Sequence, residues 1–378
     1  MRERIGAVIR AYEDQGFHRT GTDVDRMSAE WLAGEVRDIG LVAELEPFTL
    51  SRVDVGEASL AVDGRIIEGL PLFDGGFTDA EGVEGGLGSV GGEAPIGLAE
   101  CAPNAQEAGA LGEARRAGKH KAIVAVTRGL RPGFCPSNAD SFVEPFGPPV
   151  LQVPSEEGAF LAECAKRGAS VTLTAHVART QAQALNVVAH VSGRDRDLKP
   201  LVVMTPRSGW WNCASERGGG LAVWLEIMRA VQAARPDRDV LFVASSGHEL
   251  GHLGLDDFMQ RRARLVGSAR AWIHLGANIG AAQGPGNILQ ASNDPLESML
   301  ADAMTQAGLG IDRRLARGAQ PLGEAYDVYR GGGRFISIIG KNDLFHNTRD
   351  VGPDVIDLNA IARFATVFAA VATSLAGP

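Results

Sequence analysis

The chain has 378 residues, of which 45% are hydrophobic and 22% charged, with a formal net charge of −9. This is ordinary globular composition, long enough for two cores, and the absence of any Lys/Arg-rich patch argues against a nucleic-acid partner. The N-terminal stretch MRERIGAVIRAYEDQGF is charged throughout, without the apolar core of a secretory leader. The C-terminal run FATVFAAVATSLAGP falls short of the ~20 residues that span a bilayer, so no membrane contact is expected. Cys101, Cys135, Cys164 and Cys213 form no C-x-x-C pair and are few for the length, which fits a cytoplasmic protein with free thiols.

In chain order, residues 1–40 carry two helical patterns, the second starting at a Ser28 N-cap and ending at Gly40; LVAELEPFTL then alternates like a strand. From residue 53 glycine becomes frequent, and such a tract suits short strands and turns better than long elements. KAIVAVTRG, PPVLQV and ASVTLTAHV read as strands and EEGAFLAECAKRG as a helix, which makes residues 53–181 a separate, mostly β module. Beyond it LNVVAHVSG, PLVVMTP, DVLFVASS, ARAWIHLGANIG and RFISIIG read as strands. GGGLAVWLEIMRAVQAARP, HELGHLGLDDFMQRRA, DPLESMLADAMTQAG and DVIDLNAIARFATVFAAVATSLA read as helices. Strands alternating with helices predict a layered α/β domain with a largely parallel sheet, whose ligands sit beyond the carboxyl ends of the strands. The glycine runs at 218–220 and 331–333 match no phosphate-binding loop.

HELGH at 248–252 follows an apolar strand and fits the H-E-x-x-H pattern, in which two histidines on one helix face bind zinc and the glutamate is the base. No third histidine follows within LGLDDF, and the pentapeptide sits at a strand-to-helix junction, both of which weigh against that reading. The order NVVAHVSG, ASERGGGLAVWLEIMR, SSGHELGHLG and LFHNTRD supplies another. Together these segments resemble the two-zinc aminopeptidases of the aminopeptidase Y and bacterial leucyl aminopeptidase type. The resemblance implies an aminopeptidase-like three-layer α/β/α domain with a mixed, largely parallel sheet, formed by residues 1–52 and 182–378. Residues 53–181 resemble the protease-associated domain inserted in these enzymes, most clearly at VPSEEGAFLAECAKRGASVTLTAHV.

Carried over position by position, the resemblance gives a reduced metal site. The family's His-x-Asp falls on Pro206-Arg207-Ser208 and its later Asp on Gly276, so both private ligands of the first zinc are missing. Its bridging Asp falls on Glu216, its Glu-Glu pair on His248-Glu249, and its last His on His346. The implied centre is one zinc held by Glu216, Glu249 and His346, similar to the single-zinc glutaminyl cyclases, with His248 in the place of the general base. His252 and Asp350 are expected to support the ligands from behind. Arg207 and Arg217 border the same cleft, as anion-binding or oxyanion-stabilising guanidinium groups or as ordinary ion-paired arginines. Trp210 and Trp211 are candidates for an aromatic substrate wall, His274 for the lining, and Tyr326, with Tyr329, for substrate or oxyanion contact; each alternatively packs in the fold. Cys213 is a candidate nucleophile or a small buried filler. His18, His120, His176 and His190 lie outside this cleft.

The function expected from this reading is metal-dependent hydrolysis of an amide or peptide-type C–N bond in a specialised small or short peptide-like substrate. A metal-free binding protein, and a cyclase or lyase using His248 as base, are the alternatives. The sequence leaves the oligomeric state open.

Overall fold

The computed structural model describes residues 1–377. Its sheet is arranged as the apolar runs require. Val240–Ser245, Leu201–Pro206, Ala271–Leu275 and Phe335–Gly340 lie side by side in parallel, the first pairing with Leu201–Pro206 and the last with Ala271–Leu275. Asn287–Ala291 flanks them antiparallel on one side and the end of Ser170–Val191 on the other. The parallel strands are buried on both faces, which explains their unbroken runs of Val, Ile, Leu and Phe.

Alternate residues of each strand feed two cores. Val203, Phe242, Ala244, Ile273 and Leu275 pack against helices Arg2–Glu13, Asp23–Asp38, Gly219–Ala234, Asp294–Gln306 and Leu358–Ala376. Val202, Met204, Val243 and Trp272 face the other way, onto Leu255 and Phe258 of helix Leu253–Arg261 and Val328 of helix Ala325–Arg330. Three layers follow directly from the two-residue period of the strands. The C-terminal helix is apolar because it packs on Gly219–Ala234 and Arg2–Glu13, not because it stands free.

Residues 53–181 do not form a bead on a flexible linker. Two long strands, Ala43–Val62 and Ser170–Val191, pair antiparallel along almost their whole length, with one register shift between Val55 and Glu57, and both run through the expected junctions. On their far half sits a small sheet in which Val83–Ser89, Ile96–Cys101, Ala122–Thr127 and Val150–Val153 are parallel neighbours, around a core of Leu87, Ile96, Val124, Leu151 and Leu173. Two sequence expectations need correction. The second helix is capped by Thr22, whose Oγ1 accepts the Asp25 N–H at 3.3 Å, so it starts before Ser28. HELGH is no helix: His248–Leu250 is a single tight turn, Gly247, Gly251 and His252 have φ of 87°, 78° and 64°, and the helix starts only at Leu253. Left-handed backbone at these positions forbids the helical zinc-protease geometry.

The glycines at 218–220 serve close packing. A Cβ on Gly219 would collide with the Ile279 carbonyl oxygen, and one on Gly220 would meet Thr205 Oγ1 at 2.9 Å. Gly219→Ala should therefore cost about 1–3 kcal/mol by forcing helix and loop apart. Urea denaturation of the variant checks this, and unchanged stability would show that the loop yields freely.

Candidate functional site

Five segments converge at the carboxyl ends of the central strands: 207–217, 245–252, 274–278, 324–327 and 340–350. After Leu201–Pro206 the chain crosses to a one-turn π-helix, Ala214–Gly218, that presents Glu216 and Arg217. Asp350 holds that turn: its carboxylate accepts the Ser215 N–H at 3.0 Å, the Ser215 Oγ–H at 2.6 Å and the Glu216 N–H at 2.9 Å. Burial raises its pKa to about 7 against these hydrogen bonds.

Arg217 is wholly enclosed. Its Nε donates to the Ser208 carbonyl at 2.8 Å, and Nη2 lies 2.7 Å from Glu216 Oε1. Burial works against its charge, but Glu216 foremost, then Cys213, Tyr12 and Glu324, overrule it, and its pKa is raised. His346 stands on the other side of Glu216, with Nε2 at 3.5 Å from the same Oε1. Its Nδ1 donates to the Pro136 carbonyl at 2.7 Å, because a carbonyl can only accept. Burial and Arg217 hold its pKa down against Glu216, so the ring is neutral and Nε2 is an acceptor.

His248 occupies the mouth of the cluster and is 7% exposed. Nδ1 lies 3.4 Å from Glu324 Oε1, which also accepts the Ser245 hydroxyl at 2.8 Å. Burial, reinforced by Arg217 and by the neighbouring His252, His346 and His274, pushes the His248 pKa well down. Glu324 moves the opposite way: burial raises it to about 7. The His252 ring stacks on His248 with centroids 4.9 Å apart, and its Nδ1 is 2.7 Å from Asp327 Oδ2. Burial opposes its charge but Asp327 prevails, and the His252 pKa is raised. Beneath lies His274, its pKa lowered to about 3 by burial. Ser337 Oγ accepts from Gln290 Nε2 at 3.1 Å and lies 2.8 Å from His274 Nδ1.

Most of these side chains end in an atom with no hydrogen-bond partner in the protein. Glu216 Oε1, Arg217 Nη1 and Nη2, His274 Nε2, Glu324 Oε2 and His346 Nε2 are all buried and unpartnered; Arg217 Nη2 and Glu216 Oε1 are ion-paired by distance but off line for a hydrogen bond. Such atoms are costly, and their concentration in one place marks a site built to meet something polar.

The expected zinc set is not assembled. Glu216 and His346 are neighbours, but Glu249 is committed elsewhere: Oε1 accepts the Thr20 N–H at 2.7 Å and Oε2 the Ser208 hydroxyl at 2.6 Å. Among the described residues no group of three or more His, Cys, Asp or Glu side chains is arranged to hold a metal ion. The oxygen that a metal would use is faced instead by the Arg217 guanidinium. A divalent ion and a buried guanidinium at one carboxylate repel each other, so the residues present do not fit the expected zinc.

Other expectations are also corrected. Arg207 is not at the chemistry: it pairs with buried Asp25 at 2.9 Å and donates to the Asp25 and Leu185 carbonyls, tying the second helix to the sheet. Trp210 is fully buried against Phe73 and donates to Asn138 Oδ1, so it is no substrate wall. Trp211 packs edge-on to Phe17 and donates to the His346 carbonyl at 2.8 Å, which fixes the backbone of that histidine. Tyr326 lies half-buried beneath Arg330; its segment contributes Glu324 and Asp327 instead. Cys213 sits 3.9 Å from Glu216, and burial raises its pKa well above the ordinary value, so it is a thiol, not a nucleophile. All four cysteines are free and buried.

Sequence reasoning missed Glu324 and Asp327. In an acidic chain two carboxylates in GEAYDVY carry no visible signal until His248 and His252 are seen across from them.

Comparison with known proteins places the fold. No sequence-family profile matches the chain, and no curated protein matches it. Solved structures do. A zinc aminopeptidase from Bacillus subtilis superposes with a TM-score of 0.80 at 16% identity, covering 98% of this chain and 94% of that one. A peptidase M28 precursor from Shewanella amazonensis SB2B gives 0.77 at 16% identity, over 98% and 92%. An aminopeptidase from Aneurinibacillus sp. strain AM-1 gives 0.74 at 15%, over 100% and 94%. The chain has the aminopeptidase-like fold, and these structural neighbours are peptidases.

The raised pKa of Glu324 has a stability consequence. Between its ordinary value of 4.5 and about 7, the folded chain keeps a proton that the unfolded chain releases. The residue's contribution is therefore full below pH 4.5 and lost as pH rises through about 7. Relative to wild type, Glu324→Gln should gain roughly 2–3 kcal/mol between pH 5 and pH 8. Parallel urea titrations at the two pH values read the difference; a constant offset would mean that Glu324 titrates normally.

Proposed function

We propose that this protein is a metal-independent hydrolase of an amide or related C–N bond in a small polar molecule. Arg217 is the fixed cation of its site, and His248, oriented by Glu324, moves the proton. The observation that carries the proposal is the buried Glu216–Arg217 pair in the position where the resemblance led us to expect a metal. The fold of the peptidase neighbours supports hydrolysis as the reaction class.

With Nδ1 donating to Glu324, Nε2 of His248 is the basic nitrogen, and it makes no hydrogen bond within the protein. The low pKa keeps the ring neutral, the state from which a general base starts. A water attacking the carbonyl carbon passes its proton to Nε2. The carbonyl oxygen becomes an oxyanion in reach of a guanidinium N–H, in an interior where such a charge is stabilised more than in water. The tetrahedral carbon then expels nitrogen, which takes the proton back from Nε2 as the C–N bond breaks. Glu324 stabilises the transient imidazolium and His252–Asp327 packs behind it, so the imidazole is held in one orientation.

The metal question is settled first by elemental analysis of protein purified without added metal or chelator. The expected result is well below one equivalent per chain; a stoichiometric metal lost in Glu249→Ala would overturn the proposal. An amide screen reading amine or ammonia release follows. His248→Gln should lower turnover by ~10²–10⁴-fold, while a chelator should leave it unchanged. The wild-type rate should rise through pH about 7 as Glu324 ionises, and Glu324→Gln should remove that limb. A rate that is flat with pH in both proteins would rule Glu324 out as the orienting group.

A further inference from the structure

The unpartnered atoms of the site specify more than the presence of a ligand; they specify its polarity. Two kinds are present. Arg217 Nη1 is a donor and needs an acceptor. Glu216 Oε1 and His346 Nε2, the latter left as an acceptor by the Pro136 carbonyl, need donors. Glu216 Oε1 and His346 Nε2 lie 3.5 Å apart, two acceptors with no hydrogen between them. A group that donates two N–H bonds from one nitrogen would serve both.

The charges point the same way. The guanidinium of Arg217 is already balanced by Glu216 at 2.7 Å, and the other cationic candidate of the cluster, His252, by Asp327 at the same distance. No positive charge is left over for a carboxylate, which corrects the carboxylate-bearing substrate that an arginine in this cleft suggests by itself. Space is small as well. His248 and His252 are the cluster's contact with solvent, at 8% and 16% side-chain exposure. A surface cleft of about 480 Å³, lined by Arg10, Glu13, Ala282 and Asn359, shares no residue with it. The segment 132–140 of the inserted module lies across the site. It accepts from His346 and Thr348 through the Pro136 and Phe134 carbonyls, and donates from the Ala139 N–H to the Glu249 carbonyl at 2.8 Å. A polypeptide substrate has no groove there.

We infer that the site takes a neutral, N-unsubstituted amide or ureide, whose carbonyl oxygen meets Arg217 and whose –NH2 meets Glu216 and His346. The inference rests on the hydrolase reading above and narrows it. The bond broken is the one between the carbonyl carbon and –NH2, the bond formed joins that carbon to water oxygen, and the nitrogen leaves as ammonia with the proton returned by His248.

The test is calorimetric titration of the full chain with three probes of similar size: propionamide, N,N-dimethylpropionamide and propionate. Propionamide should bind at least tenfold more tightly than either of the others. Glu216→Gln, which turns an acceptor into a donor, should reduce that preference, and His346→Asn provides a second variant if the first does not fold. Equal binding of the dimethyl compound would overturn the N–H assignment. Tightest binding of propionate would overturn the neutrality argument while leaving Arg217 as an anion site. No binding of any probe would overturn the inference. Release of a substituted amine but no ammonia in the amide screen would overturn it too, while sparing the hydrolase reading.

Discussion

Everything at this site is arranged around one buried ion pair, Glu216–Arg217. Two full charges removed from water are tolerable only when close together and held by further hydrogen bonds. The structure supplies these from several directions: Asp350 grips the backbone on either side of Ser215, the Ser208 carbonyl takes Arg217 Nε, and the His346 backbone N–H donates to the far oxygen of Glu216, Oε2, at 3.3 Å. The π-turn of Ala214–Gly218 and the left-handed Cys213, at φ 53°, are the local backbone cost of aiming both side chains inward from adjacent positions.

A positive charge that is covalently part of the chain changes what the neighbouring groups do. Glu249 secures Thr20 and the Ser208 hydroxyl, and Ser208 in turn accepts from the Gly247 N–H at 2.8 Å. It thereby fixes the turn that carries His248. A position whose chemistry looks like that of a ligand is thus taken up in structural hydrogen bonds, while His248 and His252 pair with Glu324 and Asp327. Arginine can neither dissociate nor lose its proton, so the charge on Arg217 itself does not vary with pH.

Residues 53–181 reach this site through the segment 132–140. The Pro136 carbonyl fixes the tautomer of His346, and Asn138 anchors Trp210, so the module sets the hydrogen-bonding state of a residue more than 200 positions away. The long strands Ala43–Val62 and Ser170–Val191 make that placement rigid, since bending two paired strands would break their shared ladder.

The sequence by itself determined the layered α/β architecture, because buried parallel strands must be apolar runs and their helices must show the 3.6-residue period. It also located the site segments, since ligands in such sheets lie past the strand ends. Read together, ASERGGG, SSGHELGH and LFHNTRD named Glu216, Arg217, His248 and His346. Only the tertiary structure decided what they do. Whether Glu249 is a ligand depends on where Ser208 and Thr20 lie. Whether Arg207 or Arg217 is the working cation depends on which one Asp25 claims. His248 acquires a partner only through Glu324, 76 residues downstream. Such roles are set by distances between segments remote in the chain, and no local pattern encodes them.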